Sequence, residues 1–345
     1  MIIVLDSLLG VMYNLSAEWR EGRYMRIQTG VSIIMNRWLE VDRDELVLFI
    51  TDETHEREAD AVDEWARSSD AVLRTIILKS EEIQKGDVIE NMTELLCRAN
   101  VIIGATDFSF ITTPAVKKAT EAGARFLSLP LSCNNGTSLL ENEFIAMDCR
   151  WTARMAKKLL PRINRSSTLH VTTELGTDLT FSVKGRKGGY YNGSATRRGN
   201  VASASFEVYV APVEDATEGV LVLDGSLGYE GLVKEPIHIE FNRGRLSTKD
   251  THEDAQRLVK YIESFGSEKM WMNGEFGIGL NALSQCRGVS YIEDESTYGT
   301  FHIGMGRNIS LGGVQTAPGH FDIVTHDPTI WADGDCIMKD GEVVE

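Results

Sequence analysis

Near the C-terminus, "TAPGHFDIVTHD" (316–327) sets His320 and Asp322 two residues apart in an apolar run. If the run is a strand, residues i and i+2 point the same way. The imidazole and the carboxylate then share a face, with Phe321 and Ile323 on the other. Such a pair can be a base with its orienter, half of a metal site, or a buried hydrogen-bonded pair that only satisfies itself. Three more residues of the same kind stand in comparable settings: His302 in "GTFHIGMG", Glu275 in "NGEFGIGLN" and Glu207 in "FEVYVAPVE". Taken singly, each has a bland explanation as an exposed edge or a satisfied core residue. Together they are three carboxylates and two imidazoles in apolar or Gly-rich stretches, where a lone charge is costly. Mixed nitrogen and oxygen donors suit zinc, cobalt, manganese or ferrous iron. Five donors exceed the needs of one tetrahedral ion. They would serve a pair of metals sharing a carboxylate, which can activate water while polarising a carbonyl.

Other candidates weigh less. "GRKGGYYNGSATRRG" (185–199) offers Arg186, Arg197 and Arg198 for a substrate carboxylate, and a solvated loop explains it equally well. Asp178 in "GTD" reads as a turn residue. His326 falls past the expected end of its strand and stays outside the set. Cys133 in "PLSCNNGTS" has no histidine nearby in the sequence to make it a nucleophile.

The elements that must position these residues change character along the chain. Up to about residue 150 strands and helices alternate: "ELVLFIT" (45–51), a helix from "DETHEREADAVDEWARSSD", "VLRTIIL" (72–78), a helix in 88–99, "NVIIGAT" (100–106), a helix in 113–124 and "RFLSLPL" (125–131). That alternation argues a parallel three-layer sheet. No GxGxxG follows the first strand and no GxxxxGK[ST] occurs, which argues against a dinucleotide site or a P-loop. After a helix at 149–164 come a hairpin over 168–186, alternating strands at 206–214, 219–227 and 236–246, and a helix over 247–265 started by Ser247, Thr248 and Asp250. Short Gly-rich strands follow. The expected fold is α/β: a doubly wound N-terminal α/β domain, 1–164, and a β-rich α+β C-terminal domain, 165–345, carrying the metal site.

The formal net charge of −16 argues against nucleic acid or an anionic membrane as partner. No apolar run approaches the roughly 18 residues of a membrane span. The opening "MIIVLDSLLGVMYNLSAEWREGR" lacks the basic start and small-residue cleavage site of a signal peptide. Five scattered cysteines without a CxxC suggest reduced thiols. Cytoplasmic location is the expectation.

The stretches "GEFGIGLN", "IEDESTYGTFHIGMGRNISLGG" and "HFDIVTHDPTIWADGDCIMKDGE", with "TTELGTDLTFSVKGR" and "FEVYVAPVEDATEGVLVLDGS", resemble the aminopeptidase T family of metallopeptidases. The resemblance covers about 165–345 closely and the first half loosely. It implies a two-metal centre on Glu207, Glu275, His302, His320 and Asp322, with Glu275 as the bridging and proton-handling residue. It also implies zinc, cobalt or manganese, one or two per chain, a peptide or small-molecule substrate, and a homodimer or larger homo-oligomer. Two features depart from it. Where those peptidases carry a tyrosine after the first histidine, this chain has Arg307, Asn308 and Ile309, and "GGVQTAPGHFD" tightens the last loop. The tight loop resembles the related 2,5-dihydroxypyridine 5,6-dioxygenase branch, which implies one ferrous iron on a smaller set, Glu275, His320 and Asp322. That branch has apolar residues at the positions of Glu207 and His302, and a histidine at that of Glu275. Keeping the peptidase-like ligands puts a hydrolase first and a ring-cleaving dioxygenase second.

Overall fold

A computed structural model describes residues 25–345 apart from Gly86. The stretch considered above as a signal peptide lies outside the described residues. The first sheet comprises β1 (Leu46–Asp52), β2 (Val72–Leu78), β3 (Val101–Ala105), β4 (Arg125–Ser128) and β8 (Val201–Ser203), all parallel, in the order β2-β1-β3-β4-β8. Its inner strands β1, β3 and β4 are buried on both sides because both faces are covered, while the edge strand β2 is part exposed. Val47, Phe49, Val101 and Ile103 pack with the helices Ile27–Ile33 and Glu56–Ser69, while Leu48, Ile50, Ile102 and Phe126 pack with the helix Pro114–Glu121. The doubly wound reading holds. Through β8 the chain returns to this sheet well after residue 165.

The remaining strands form two antiparallel sheets. One has eight strands: β5 (Thr168–Thr172), β6 (Asp178–Ser182), β10 (Thr217–Leu223), β11 (Ile237–Asn242), β12 (Arg245–Thr248), β16 (Thr329–Ala332), β17 (Asp335–Lys339) and β18 (Glu342–Val343), in the order β12-β11-β10-β6-β5-β16-β17-β18. The other has five: β7 (Gly189–Asn192), β9 (Phe206–Val210), β13 (Asn273–Gly279), β14 (Thr300–Gly306) and β15 (His320–His326), in the order β15-β14-β13-β9-β7. Their apolar faces close on each other in one core, for example Phe181 against Phe276 at 4.7 Å. The helices Cys149–Arg165 and Glu253–Ser264 seal it with Leu159, Ile163, Leu258 and Ile262.

Two elements differ from expectation. The helix expected from residue 247 starts at Glu253 behind an N-cap at His252, because β12 pairs with β11 and takes Ser247 and Thr248 into a hairpin. Asp250 instead accepts the His238 backbone N–H at 2.7 Å. The helix expected over 88–99 is broken into Asp87–Asn91 and Thr93–Leu96. Among the described residues no helix is long and apolar enough to cross a membrane.

Candidate metal centre

The five-stranded sheet has one apolar and one chemical face. Phe276, Ile278, Phe301, Ile303, Phe321 and Ile323 enter the core, and alternate residues point the other way. Directly opposed residues share a face, so the register places the donors together. Gly304 lies between Glu275 and Asp322, Gly277 opposes His302, Gly279 opposes Glu207, and Gly306 opposes His320. A β-bulge between Asn273 and Glu275 starts this alternation, and Asn273 Oδ1 accepts the Glu275 N–H at 3.1 Å. The glycines are spatial necessities. A Cβ on Gly277 would land on His302 Nε2, and one on Gly304 would stand 2.6 Å from His320 Cε1 and 2.9 Å from Asp322 Oδ1. Any side chain at either position would fill the space the donors share.

The five side chains converge in two groups that share Glu275: Glu207, Glu275 and His302, then Glu275, His320 and Asp322, with donor atoms in each group within 4.8 Å of one another. His302 Nε2 is 2.9 Å from Glu207 Oε2. His320 Nε2 is 3.0 Å from Glu275 Oε2 and 3.4 Å from Asp322 Oδ1. His320 Nδ1–H donates to the Arg307 carbonyl at 2.8 Å, which aims Nε2 inward. Ser205 Oγ–H donates to Glu207 Oε1 at 2.8 Å. Four of the five side chains are buried, and His320, a quarter exposed, marks the open end.

A fourth carboxylate, Glu295, completes the site and was not foreseen. It comes from the short helix Tyr291–Ser296, is buried, hydrogen-bonds to Asp322, and leaves Oε2 without a partner. His302 Nδ1 is likewise buried and unpaired. Burial drives the Glu275 carboxyl up to about 7, with Glu207 adding and His320 opposing. Burial also drives Glu295 up, helped by Asp322, Glu207 and Glu275. Burial would lower His302, but its hydrogen bond to Glu207 and the surrounding carboxylates lift it to about 9. Burial would raise Asp322, yet the His320 imidazolium beside it holds it at about 2. Four crowded carboxylates are held together by protons that a cation could replace. The residues fit a divalent metal.

That charge balance carries a pH dependence. A group whose pKa is raised on folding stabilises the fold below its ordinary value and stops doing so above its folded one. For Glu275 the window runs from 4.5 to about 7, and for His302 from 6.5 to about 9. Melting of metal-stripped protein should therefore fall from pH 4.5 to 9, and bound metal should flatten the slope. A melting temperature that climbs across this window without metal would contradict the charge balance.

Two of the three arginines offered for substrate, Arg186 and Arg198, are engaged elsewhere. Arg186 binds Glu214 at 2.5 Å and the Gly312 carbonyl at 3.0 Å, and Arg198 donates to the Ala122 carbonyl at 3.4 Å. Arg197 is exposed, its backbone N–H closing a turn on Asn200. Burial pushes the Cys133 thiol up to about 12, so no thiolate nucleophile forms there. Asp178 pairs with His170 at 2.8 Å, and His326 with Asp224 at 3.3 Å at the far end of β15.

With the geometry in hand, residues 40–345 match the family described as NicX, 2,5-dihydroxypyridine 5,6-dioxygenase. The chain belongs to the NicX family. A 2,5-dihydroxypyridine 5,6-dioxygenase of Pseudomonas putida is 26% identical over 148 residues, 40% of this chain and 42% of that protein. The chain thus aligns with about two fifths of that relative's length. The solved structure of 2,5-dihydroxypyridine dioxygenase from Pseudomonas putida matches at a TM-score of 0.76 and 19% identity, covering 92% of this chain and 97% of that one. AmpT from Thermus thermophilus matches at 0.65 and 15% identity, covering 92% and 99%. Both likenesses are of fold: this NicX-family chain shares its architecture with a dioxygenase and with an aminopeptidase T.

Proposed function

We propose that the protein is a metal-dependent dioxygenase that opens the ring of a dihydroxypyridine-like N-heteroaromatic. The observation that carries this reading is the group Glu275, His320 and Asp322, at the open end of the site, in a chain of the NicX family. The sequence alone favoured a hydrolase, and family membership reverses that order. Three donors would leave positions on ferrous iron for substrate and oxygen. Bound there, iron would supply the one-electron chemistry that lets dioxygen react with an electron-rich ring. The chain's own residues prepare the place. Arg307 orients His320, Glu275 and Asp322 balance the cation's charge, and burial of the other donors restricts water to the His320 side. The donor set holds one imidazole and two carboxylates, where two imidazoles and one carboxylate are the commoner oxygenase arrangement.

A two-metal hydrolase remains the second reading because Glu207, Glu275 and His302 form a further donor group sharing Glu275. Glu275 would then bridge and assist proton transfer to an amide. Oxygen uptake separates the readings. Protein loaded with ferrous iron should consume 2,5-dihydroxypyridine and oxygen in equal amounts, and zinc-, cobalt- or manganese-loaded protein should not. Oxygen-independent release of amines from short peptides, without oxygen uptake on the pyridine, would overturn the dioxygenase reading. Assembly into a homodimer or larger homo-oligomer belongs to the same proposal.

A further inference from the structure

We propose that Tyr229, packed against Tyr291 and Phe108, positions the substrate ring by donating a hydrogen bond to a ring oxygen that the metal does not take. This rests on the ring-cleavage reading and adds which residues would recognise the ring. Gly228 delivers Tyr229 to the site: with φ at +58°, its Cβ position would stand 3.0 Å from the Asp322 carbonyl oxygen. The turn Gly228–Glu230 therefore lies on β15 at Asp322. The Tyr229 ring meets Tyr291 at 4.2 Å and 40°, and Phe108 at 6.2 Å and 36°. Tyr291 stands four residues before Glu295 on one short helix, so the same face carries both the aromatic wall and the carboxylate that meets Asp322.

The hydroxyls are unevenly used. The Tyr229 and Tyr291 hydroxyls meet in one hydrogen bond, in which either can donate. Two phenols bring two O–H donors. Their mutual bond uses one, which leaves one O–H of the pair for a ligand oxygen. A half-buried phenol pair with a spare O–H, beside the strand that carries Asp322, matches a planar ring bearing oxygen substituents.

Phe108 reaches this wall from the other half of the molecule. It is 43% exposed, yet its loop is tied down. Thr106 Oγ1–H donates to the Phe108 carbonyl at 2.6 Å, and the Asp107 N–H donates to Asp52 Oδ2 at 2.9 Å. Asp107 Oδ1 in turn pairs with His55 Nε2 at 2.8 Å. Those ties occupy the crevice between the ends of β1 and β3, where the strand order reverses and open α/β sheets bind ligands. Here the crevice holds an aromatic ring out against Tyr229.

Anaerobic titration of the iron-loaded protein with 2,5-dihydroxypyridine, 2-hydroxypyridine and 3-hydroxypyridine tests this. Tyr229→Phe keeps the ring and removes the O–H. It should raise Kd for the dihydroxylated ring about tenfold, the worth of one hydrogen bond. It should leave unchanged the one monohydroxypyridine that lacks the oxygen Tyr229 contacts. Phe108→Ala, at an exposed position, should weaken all three ligands alike, with Phe108→Trp restoring them. Equal losses on all three ligands in Tyr229→Phe, or none, overturn the inference while the ring-cleavage reading stands. A wild type that binds no dihydroxypyridine removes that reading and this inference together.

Discussion

Asp322→Ala and His320→Ala should each empty the metal centre, with metal per chain below about a tenth of wild type and turnover down at least a thousandfold, roughly 4 kcal/mol of lost transition-state stabilisation. Both residues stand on one strand face and belong to the donor group at the open end. Asp322 contributes the one carboxyl of the cluster held far below its ordinary range, so it is charged at every working pH. His320 contributes a nitrogen already aimed by the Arg307 carbonyl. Asp322→Asn is the sharper variant, because it keeps the shape and removes only the charge. Elemental analysis beside a melting curve separates loss of metal from loss of fold. An Asp322→Asn protein that keeps its metal and its turnover would remove this centre from the chemistry altogether.

The five donors were readable in the sequence because a strand has a period of two. His320 and Asp322 share a face by spacing alone, and in "GEFGIG" and "FHIGMG" the glycines that make room alternate with the apolar residues that enter the core. What spacing cannot reveal is which strands are neighbours. Glu207 on β9 reaches His302 on β14 only because β13 runs between them with Gly277 and Gly279 on that face. Glu295 was hidden for another reason. "IEDES" reads as a solvated acidic run, yet all three acids are buried. Each is met by a partner distant in sequence or across a turn: Glu293 by Arg287 and Asn142, Asp294 by the N–H groups of Arg287 and Gly288, and Glu295 by Asp322. The return of the chain to the first sheet in β8 was illegible too, since three residues carry no periodicity. The misplaced helix start shows the same limit, since Ser247 and Thr248 have cap chemistry and tertiary pairing claimed them for a strand.

The buried pair Glu207–His302 discriminates between one metal and two. Glu207→Ala should cost about 3–5 kcal/mol, because it strands a buried imidazolium without its nearest counter-charge. His302 is only 1% exposed, and its Nδ1 already lacks a partner. Removing both charges at once is a different experiment. Buried ion pairs replaced by apolar groups of similar volume are often neutral or stabilising, so Glu207→Met with His302→Phe should recover most of the lost melting temperature. The double variant also imitates the ring-cleaving branch, whose resemblance implies apolar residues at these two positions. If Glu275, His320 and Asp322 hold a single iron, it should keep the wild-type metal count and a measurable share of oxygen-dependent turnover. If the centre holds two metals, the count should fall from two toward one and turnover should vanish. A folded double variant with half the metal and no activity would return the hydrolytic two-metal centre to first place. A full metal count with oxygen uptake would make Glu207 and His302 a buried ion pair behind a one-iron site.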